Sequence, residues 1–203
     1  YPMVSYWLAY LYRDRDTDKS KSYLEAAVDQ SPKFVFPFRL ETEPVLKWAR
    51  AQDPSWKTNY YLGLLYWKML RKEDAKEAFE RCGDEPDYSV FYTVRGVLNK
   101  AEDGAMDDFK KATQLEPGEW RTWYYLMDHY QQEGDYVQQW ETSKVMYSKF
   151  SDNPSVGIGH ARALLNVGRY KECLDVLAKV NVLPAEFSNS GHVIYELAAI
   201  SQA

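Results

Sequence analysis

Cysteine and histidine are both scarce, two and three residues among 203. Two cysteines exclude a small fold stapled by disulfides. The chain has no Cys-x-x-Cys and no His-x-x-x-His, so the spacing that places metal ligands together is missing. It has no Gly-x-Ser-x-Gly elbow either, and nucleophilic catalysis would need a Ser or Cys beside a His and an orienting group. No apolar run approaches the roughly 18 residues that suggest a membrane span. No signal-peptide pattern opens the chain. It starts at Tyr1 instead of Met, which reads as a piece of something longer. A basic excess is also lacking. The net charge is −5, against the basic footprint of a nucleic-acid binder. No Gly/Ser tract interrupts the chain, so residues 1–203 are expected to form one domain.

Aromatics and regularly spaced prolines stand out instead. Phe, Trp and Tyr make up 16% of the chain, with 17 Tyr and 7 Trp, so flat side chains must do much of the packing. Pro32, Pro54, Pro86, Pro117, Pro154 and Pro184 each close one helical pattern and precede another, at gaps of 22, 32, 31, 37 and 30 residues. Four of these gaps lie near the roughly 34-residue period of a helix–turn–helix repeat. The segment from Trp56 to Pro86 is the clearest unit. Its first half reads Tyr60-Tyr61-Leu62-Gly63-Leu64-Leu65-Tyr66, and its second carries Ala75, Ala78, Phe79 and Cys82. Small Gly63 and Ala75 would let two antiparallel helices approach, with Tyr66 and Phe79 filling the space around the crossing.

This unit resembles a tetratricopeptide (TPR) repeat. The others fit less closely. Residues 118–154 keep Trp123, Leu126, Tyr130, Gly134, Asp135 and Tyr136, but Gln139, Ser143 and Met146 replace the usual small–aromatic–small set. Residues 87–117 keep Ala105, Phe109, Ala112 and Pro117, while Thr93 and Gly96 weaken the first helix. The expected division is repeat 1 at 1–32, an aromatic loop plus an extra helix at 33–54, and repeats 2 to 5 at 55–86, 87–117, 118–154 and 155–186. A capping or partial-repeat helix follows at 187–203. The resemblance implies an all-α fold, a right-handed superhelix of antiparallel helix pairs with about twelve helices and no sheet. Asp103-Gly104, Gly134-Asp135 and Gly168-Arg169 supply turn chemistry between helical patterns. A shorter likeness, from Tyr1-Pro2-Met3 through Phe36–Glu41 and Trp48-Ala49, is similar to the C-terminal region of certain large bacterial proteins. Those proteins carry an N-terminal β-sandwich domain of carbohydrate-related type.

The insert opens Phe34-Val35-Phe36-Pro37-Phe38, which Pro37 keeps from being helical throughout. It is expected to be buried as a plug between the first unit and the extra helix. If exposed, it would be an apolar patch seeking a partner. Cys82 and Cys173 fall at small-residue positions and are expected to be buried. His129, His160 and His192 have no partner spacing and are read as packing or surface residues. Val156-Gly157-Ile158-Gly159-His160 lacks the strand and third glycine of a phosphate loop. Carboxylate groups such as Glu41/Glu43 and Asp107/Asp108 sit where the positive end of a helix dipole favours them.

A solenoid of helix pairs presents a concave face. TPR resemblance implies which positions line it. They are Ser5, Ala9 and Tyr12; then Lys57, Tyr60, Leu64, Trp67 and Lys68; then Arg121, Tyr124, Asp128 and Gln131; then Ile158, Arg162, Leu165 and Asn166. Tyr60, Trp67 and Tyr124 are the expected anchors, since Trp, Tyr and Arg dominate interface energetics. Some TPR domains grip acidic chaperone tails through a Lys/Asn/Arg clamp. The matching positions here are Tyr60, Leu64, Tyr124, Asp128, Ile158 and Arg162, and no such clamp results.

The leading reading is a non-catalytic interaction or scaffold module that binds a protein or peptide, or a neighbouring domain of the same protein. It expects no cofactor, no metal, no nucleic acid and no membrane insertion. The alternative is a structural or dimerisation arm of a multidomain carbohydrate-active enzyme, without a ligand of its own. A third reading, an enzyme with a sugar substrate, lacks an identifiable catalytic pair. The compartment stays open between cytoplasm and periplasm.

Overall fold

The computed structural model describes residues 1–100, 104–181 and 190–202. The described residues form twelve helices and no strand. The chain divides into two compact units, Tyr1–Asn99 and Lys100–Ala203. The boundary falls inside the 87–117 segment.

The first unit contains α1 (Pro2–Tyr12), α2 (Thr17–Asp29), α3 (Thr42–Gln52), α4 (Trp56–Lys68), α5 (Lys72–Glu80) and α6 (Ser89–Leu98). Helices α1 and α2 pair, α4 and α5 pair, α3 packs on both α1 and α4, and α6 packs on α5. Local chemistry sets the ends. Pro2 occupies the first turn of α1, where its missing N–H costs nothing. The Asp16 carboxylate accepts from the Lys19 amide at 3.0 Å and caps α2. The α1–α2 crossing is close because Ala9 and Ala27 are small and fully buried. The Ser20 hydroxyl donates to the Ala9 carbonyl across that crossing at 2.7 Å.

Helix α4 is enclosed on nearly every side. Tyr60, Tyr61, Leu62, Gly63, Leu65 and Tyr66 are all buried. A methyl group at Gly63 would lie 2.4 Å from Phe79 Cε1, so this glycine is where α5 lays its aromatic ring against α4. The extra helix α3 is tied to the α4–α5 turn by charge. Glu43 accepts from Lys47 Nζ at 2.7 Å and from Arg71 Nη1 at 3.0 Å. The Lys47 hydrogen bond first, and then Arg71, hold the Glu43 carboxyl below the usual carboxylate range.

The second unit contains α7 (Ala105–Leu115), α8 (Trp120–Gln132), α9 (Tyr136–Phe150), α10 (Pro154–Asn166), α11 (Tyr170–Leu177) and α12 (Ser190–Gln202). Neighbours pack in sequence, and α12 rests on α11 and α10. Gly157 and Gly159 lie inside α10 and belong to no loop. The positions that depart from the repeat pattern in α9 are core positions all the same. Gln139, Ser143 and Met146 are fully buried, and the two polar ones are satisfied. Gln139 Nε2 donates to Gln131 Oε1 at 2.9 Å, and Asn166 Nδ2 donates to Gln139 Oε1 at 2.9 Å. The Ser143 hydroxyl donates to the Trp140 carbonyl at 2.7 Å and lies 2.9 Å from His160 Nδ1. Its single proton is committed to Trp140, so Nδ1 carries the hydrogen of that second bond.

Three helices end in the same way. After α8, the Asp135 amide reaches the Tyr130 carbonyl and the Gly134 amide reaches Gln131. After α10, Arg169 and Gly168 make the same pair of bonds to Leu164 and Leu165. After α4, Arg71 and Leu70 make them to Tyr66 and Trp67. This Schellman closure needs a left-handed residue at its turn, usually glycine. Gly134 and Gly168 have φ of 74° and 75°, and Leu70 takes φ 60°.

Candidate interaction surface

The aromatic insert is exposed, against the expectation of a buried plug. Burial alternates along it residue by residue. Val35 and Pro37 point inward and are buried. Phe34, Phe36 and Phe38 point outward and are 86%, 56% and 61% exposed. The two smaller residues take the inner face.

Two clefts flank this ridge. One, of about 600 Å³, is lined by Phe36, Pro37 and Phe38 with Leu64, Trp67, Lys68, Leu70 and Val94. The other, of about 520 Å³, runs from the same ridge to Tyr1, Val4, Trp7 and Leu8 of the first helix and its leading residue. Trp67 and Leu64 are half-buried and Lys68 is exposed, so these three expected residues come together on an open surface. Leu70 is 82% exposed at the cleft edge.

Other expected positions are placed differently. Tyr60 is 1% exposed. Its ring lies 6.0 to 6.2 Å from those of Phe91, Tyr88 and Phe79, so α6 and α5 cover the face a partner would need. Burial lifts its hydroxyl pKa far above the ordinary tyrosine value. Tyr60 is therefore a core residue and no anchor. Ala9 is likewise buried, at the α1–α2 crossing. Lys57 donates to the carbonyls of Val28 at 2.7 Å and Gln30 at 2.9 Å, so it caps the end of α2. Tyr12 stacks on Tyr23 with ring centres 5.8 Å apart.

In the second unit, Arg121 and Tyr124 line a cleft of about 320 Å³ with Trp120, Tyr125 and Ser155. Arg121 pairs with Glu119 at 3.0 Å and lies over the Trp120 ring. Tyr124 is raised in pKa chiefly by burial, with Arg162 opposing and Asp128 adding, which puts both charges near it. Asp128 is held by Lys100 at 2.9 Å and by Gln132 at 2.6 Å. Gln131 and Asn166 are linked through buried Gln139 and belong to an internal polar relay.

Both cysteines and two of the three histidines are buried. Cys82 and Cys173 are buried, as their positions in the pairs imply. Burial pushes the Cys82 thiol up to about 12. His160 is buried against Tyr147, ring centres 4.7 Å apart, and burial lowers it to about 4. His129 is buried beside Phe109. The side chain of His192 lies outside the described residues. No described helix is long and apolar enough to cross a membrane.

A stack of antiparallel helix pairs with short turns, lined by small and aromatic residues at the crossings, defines an α-helical repeat protein. Two stretches of the chain, residues 4–33 and 58–87, match the tetratricopeptide repeat family model, and they coincide with α1–α2 and α4–α5. Solved structures share the fold. A MamA structure from AMB-1 matches with a TM-score of 0.62 at 20% identity, over 91% of this chain and 96% of that one. PilF of Pseudomonas aeruginosa matches with a TM-score of 0.62 at 16% identity, over 99% and 84%. TTC0263, a thermophilic TPR protein of Thermus thermophilus, matches with a TM-score of 0.53 at 16% identity over the full length of both. No curated protein matches the sequence.

Proposed function

We propose that this chain is a non-catalytic protein-interaction scaffold whose partner docks on the first unit, at the Phe34–Phe38 ridge and its flanking clefts. One observation carries the reading. Three phenylalanines stand exposed in five residues, beside exposed Leu70 and half-buried Trp67. A contiguous apolar surface of this kind marks an interaction site. Trp and other aromatics are the residues that dominate such sites.

Two partners fit. A peptide segment suits the cleft against α4. A neighbouring domain of the same protein suits the cleft against α1, whose lining is mostly apolar, with Arg39 and Thr42 among it. The second reading keeps alive the structural arm of a multidomain protein. The concave-face positions of the second unit, Arg121, Tyr124 and Arg162, would contribute less, because Arg121 is engaged by Glu119 and Trp120.

A displayed-peptide selection tests the proposal, with the F36S/F38S double variant as the counter-screen. Selected peptides should lose at least about tenfold in affinity on the double variant, the scale of one lost anchor. Binders indifferent to Phe36 and Phe38, or a selection that yields none, would sink the ridge as the docking site.

A further inference from the structure

We infer that the cleft between the aromatic ridge and α4 takes an apolar peptide segment flanked by carboxylates, and that Leu70 is its specificity-setting contact. This rests on the docking surface proposed above and names its partner's chemistry.

Leu70 is out of place by the fold's own rule. The equivalent residues after α8 and α10 are Gly134 and Gly168, in the same hydrogen-bond closure. A leucine at positive φ bears a strain that a glycine does not. Nothing in the fold repays it, since the side chain is 82% exposed. Phe34, with φ 59°, is the one other non-glycine residue at positive φ among the described residues. Both are large, apolar and exposed; Leu70 lines the cleft, and Phe34 begins the ridge two residues before Phe36. Strain of this type concentrates where a side chain has a task outside the fold.

Charge selects the occupant. The protein carries a net −5. Yet the charged side chain lining the cleft against α4 is Lys68, and the one lining the cleft against α1, across the shared ridge, is Arg39; both are cationic. Neither has a carboxylate partner among the described residues. Arg39 lies over the Phe38 ring, at 5.6 Å. Lys68 stands at the C-terminal end of α4. An apolar segment seated between Phe36, Phe38, Trp67 and Leu70 meets Lys68 in the cleft, and a flank that crosses the Phe38 ring meets Arg39. Acidic flanks gain from that placement and basic flanks are repelled. A purely acidic tail gains little, because exposed ion pairs alone are weak.

The test uses the whole chain and four fluorescein-labelled peptides. Three share a Leu/Phe centre and carry Glu, Gln or Lys flanks; the fourth joins Glu flanks to a Gly/Ser centre. The Glu-flanked apolar peptide should bind at least about tenfold tighter than the Lys-flanked one, and the Gly/Ser peptide should not bind. R39E/K68E should reverse the preference. Leu70→Gly should raise thermal stability while weakening the Glu-flanked peptide at least about tenfold. Equal affinity for all flanks, or unchanged binding by Leu70→Gly, overturns this inference. If peptides from the selection still require Phe36 and Phe38 in that case, the docking surface stands and only its chemistry is wrong. A concentration-dependent dimer broken by F36S/F38S also overturns it, since the occupant is then a second copy of the chain.

Discussion

Gly63→Ala isolates the contact that fixes the geometry of the α4–α5 pair. In an ordinary helix interior this change would stabilise, by about 0.8–1 kcal/mol of helix propensity. Here the added methyl group would lie 2.4, 2.6 and 2.8 Å from Cε1, Cδ1 and Cζ of Phe79. Carbon atoms in contact sit roughly 3.5–4.0 Å apart, so the ring must retreat by about 1 Å. It has nowhere to go, because Phe79 is buried with the rings of Tyr60 and Phe91 at 6.2 and 6.1 Å. Overpacking of this type costs about 1–3 kcal/mol. Set against the propensity gain, the expected net loss is up to about 2 kcal/mol, or a fall in Tm of up to roughly 8 °C for a chain of this length.

Urea denaturation followed by circular dichroism measures the loss directly. Gly118→Ala is the control, since a methyl group there meets nothing within 4 Å. It should be neutral within about 0.5 kcal/mol. Phe79→Leu supplies the cycle. In that background Gly63→Ala should cost little or should stabilise, giving a coupling of about 1 kcal/mol or more. A coupling near zero in that cycle would refute the reasoning, and with it the claim that ring and glycine set the helix approach.

Three further outcomes follow from buried groups. His160 is lowered to about 4 in the folded chain from an ordinary 6.5, chiefly by desolvation. Its contribution is therefore fully present above about pH 6.5 and is lost as pH falls toward 4, with a slope of up to ~1.4 kcal/mol per pH unit. His160→Gln should flatten that part of the urea-midpoint profile. Neither Cys82 nor Cys173 should react with iodoacetamide at pH 8 in the folded protein, and labelling should track unfolding, because both are buried and Cys82 is pushed up to about 12. Lys57→Met should cost about 1 kcal/mol and fray the end of α2 in hydrogen exchange, because two carbonyl bonds disappear with the ammonium.

The helix pairs were legible because their determinants are local. Gly63 opposite Phe79, the prolines between units, and Gly134 and Gly168 at left-handed turns all mark structure through residue types that few other roles require. Gln139 and Ser143 looked like departures from the pattern, yet they occupy its core positions, because Gln131, Asn166 and Trp140 satisfy them. The surface was less legible because it depends on neighbours. Tyr60 occupies a groove position of the repeat, but whether it is free depends on Tyr88 and Phe91 of the following helix. No periodicity in α4 encodes that. Lys57 was equally ambiguous, since a lysine on a first helix can face a ligand or reach back to the preceding helix end, and only the carbonyls of Val28 and Gln30 decide it.

Leu70 is the instructive omission. Its signal was in the chain, because Leu70-Arg71 stands where Gly134-Asp135 and Gly168-Arg169 stand in other pairs. Reading it requires comparing the turns with one another as well as with a family pattern. A repeat protein supplies that internal control. When two copies of a motif use glycine for a backbone reason and the third does not, the third bears a cost the fold does not recover. An exposed side chain at that place directs attention away from folding and toward the partner. The phenylalanine ridge supports the same conclusion from a different direction, since its inner residues, Val35 and Pro37, already anchor the segment. The three outward rings add nothing to that anchoring, and burying them against a partner would recover apolar area that the isolated chain leaves in water.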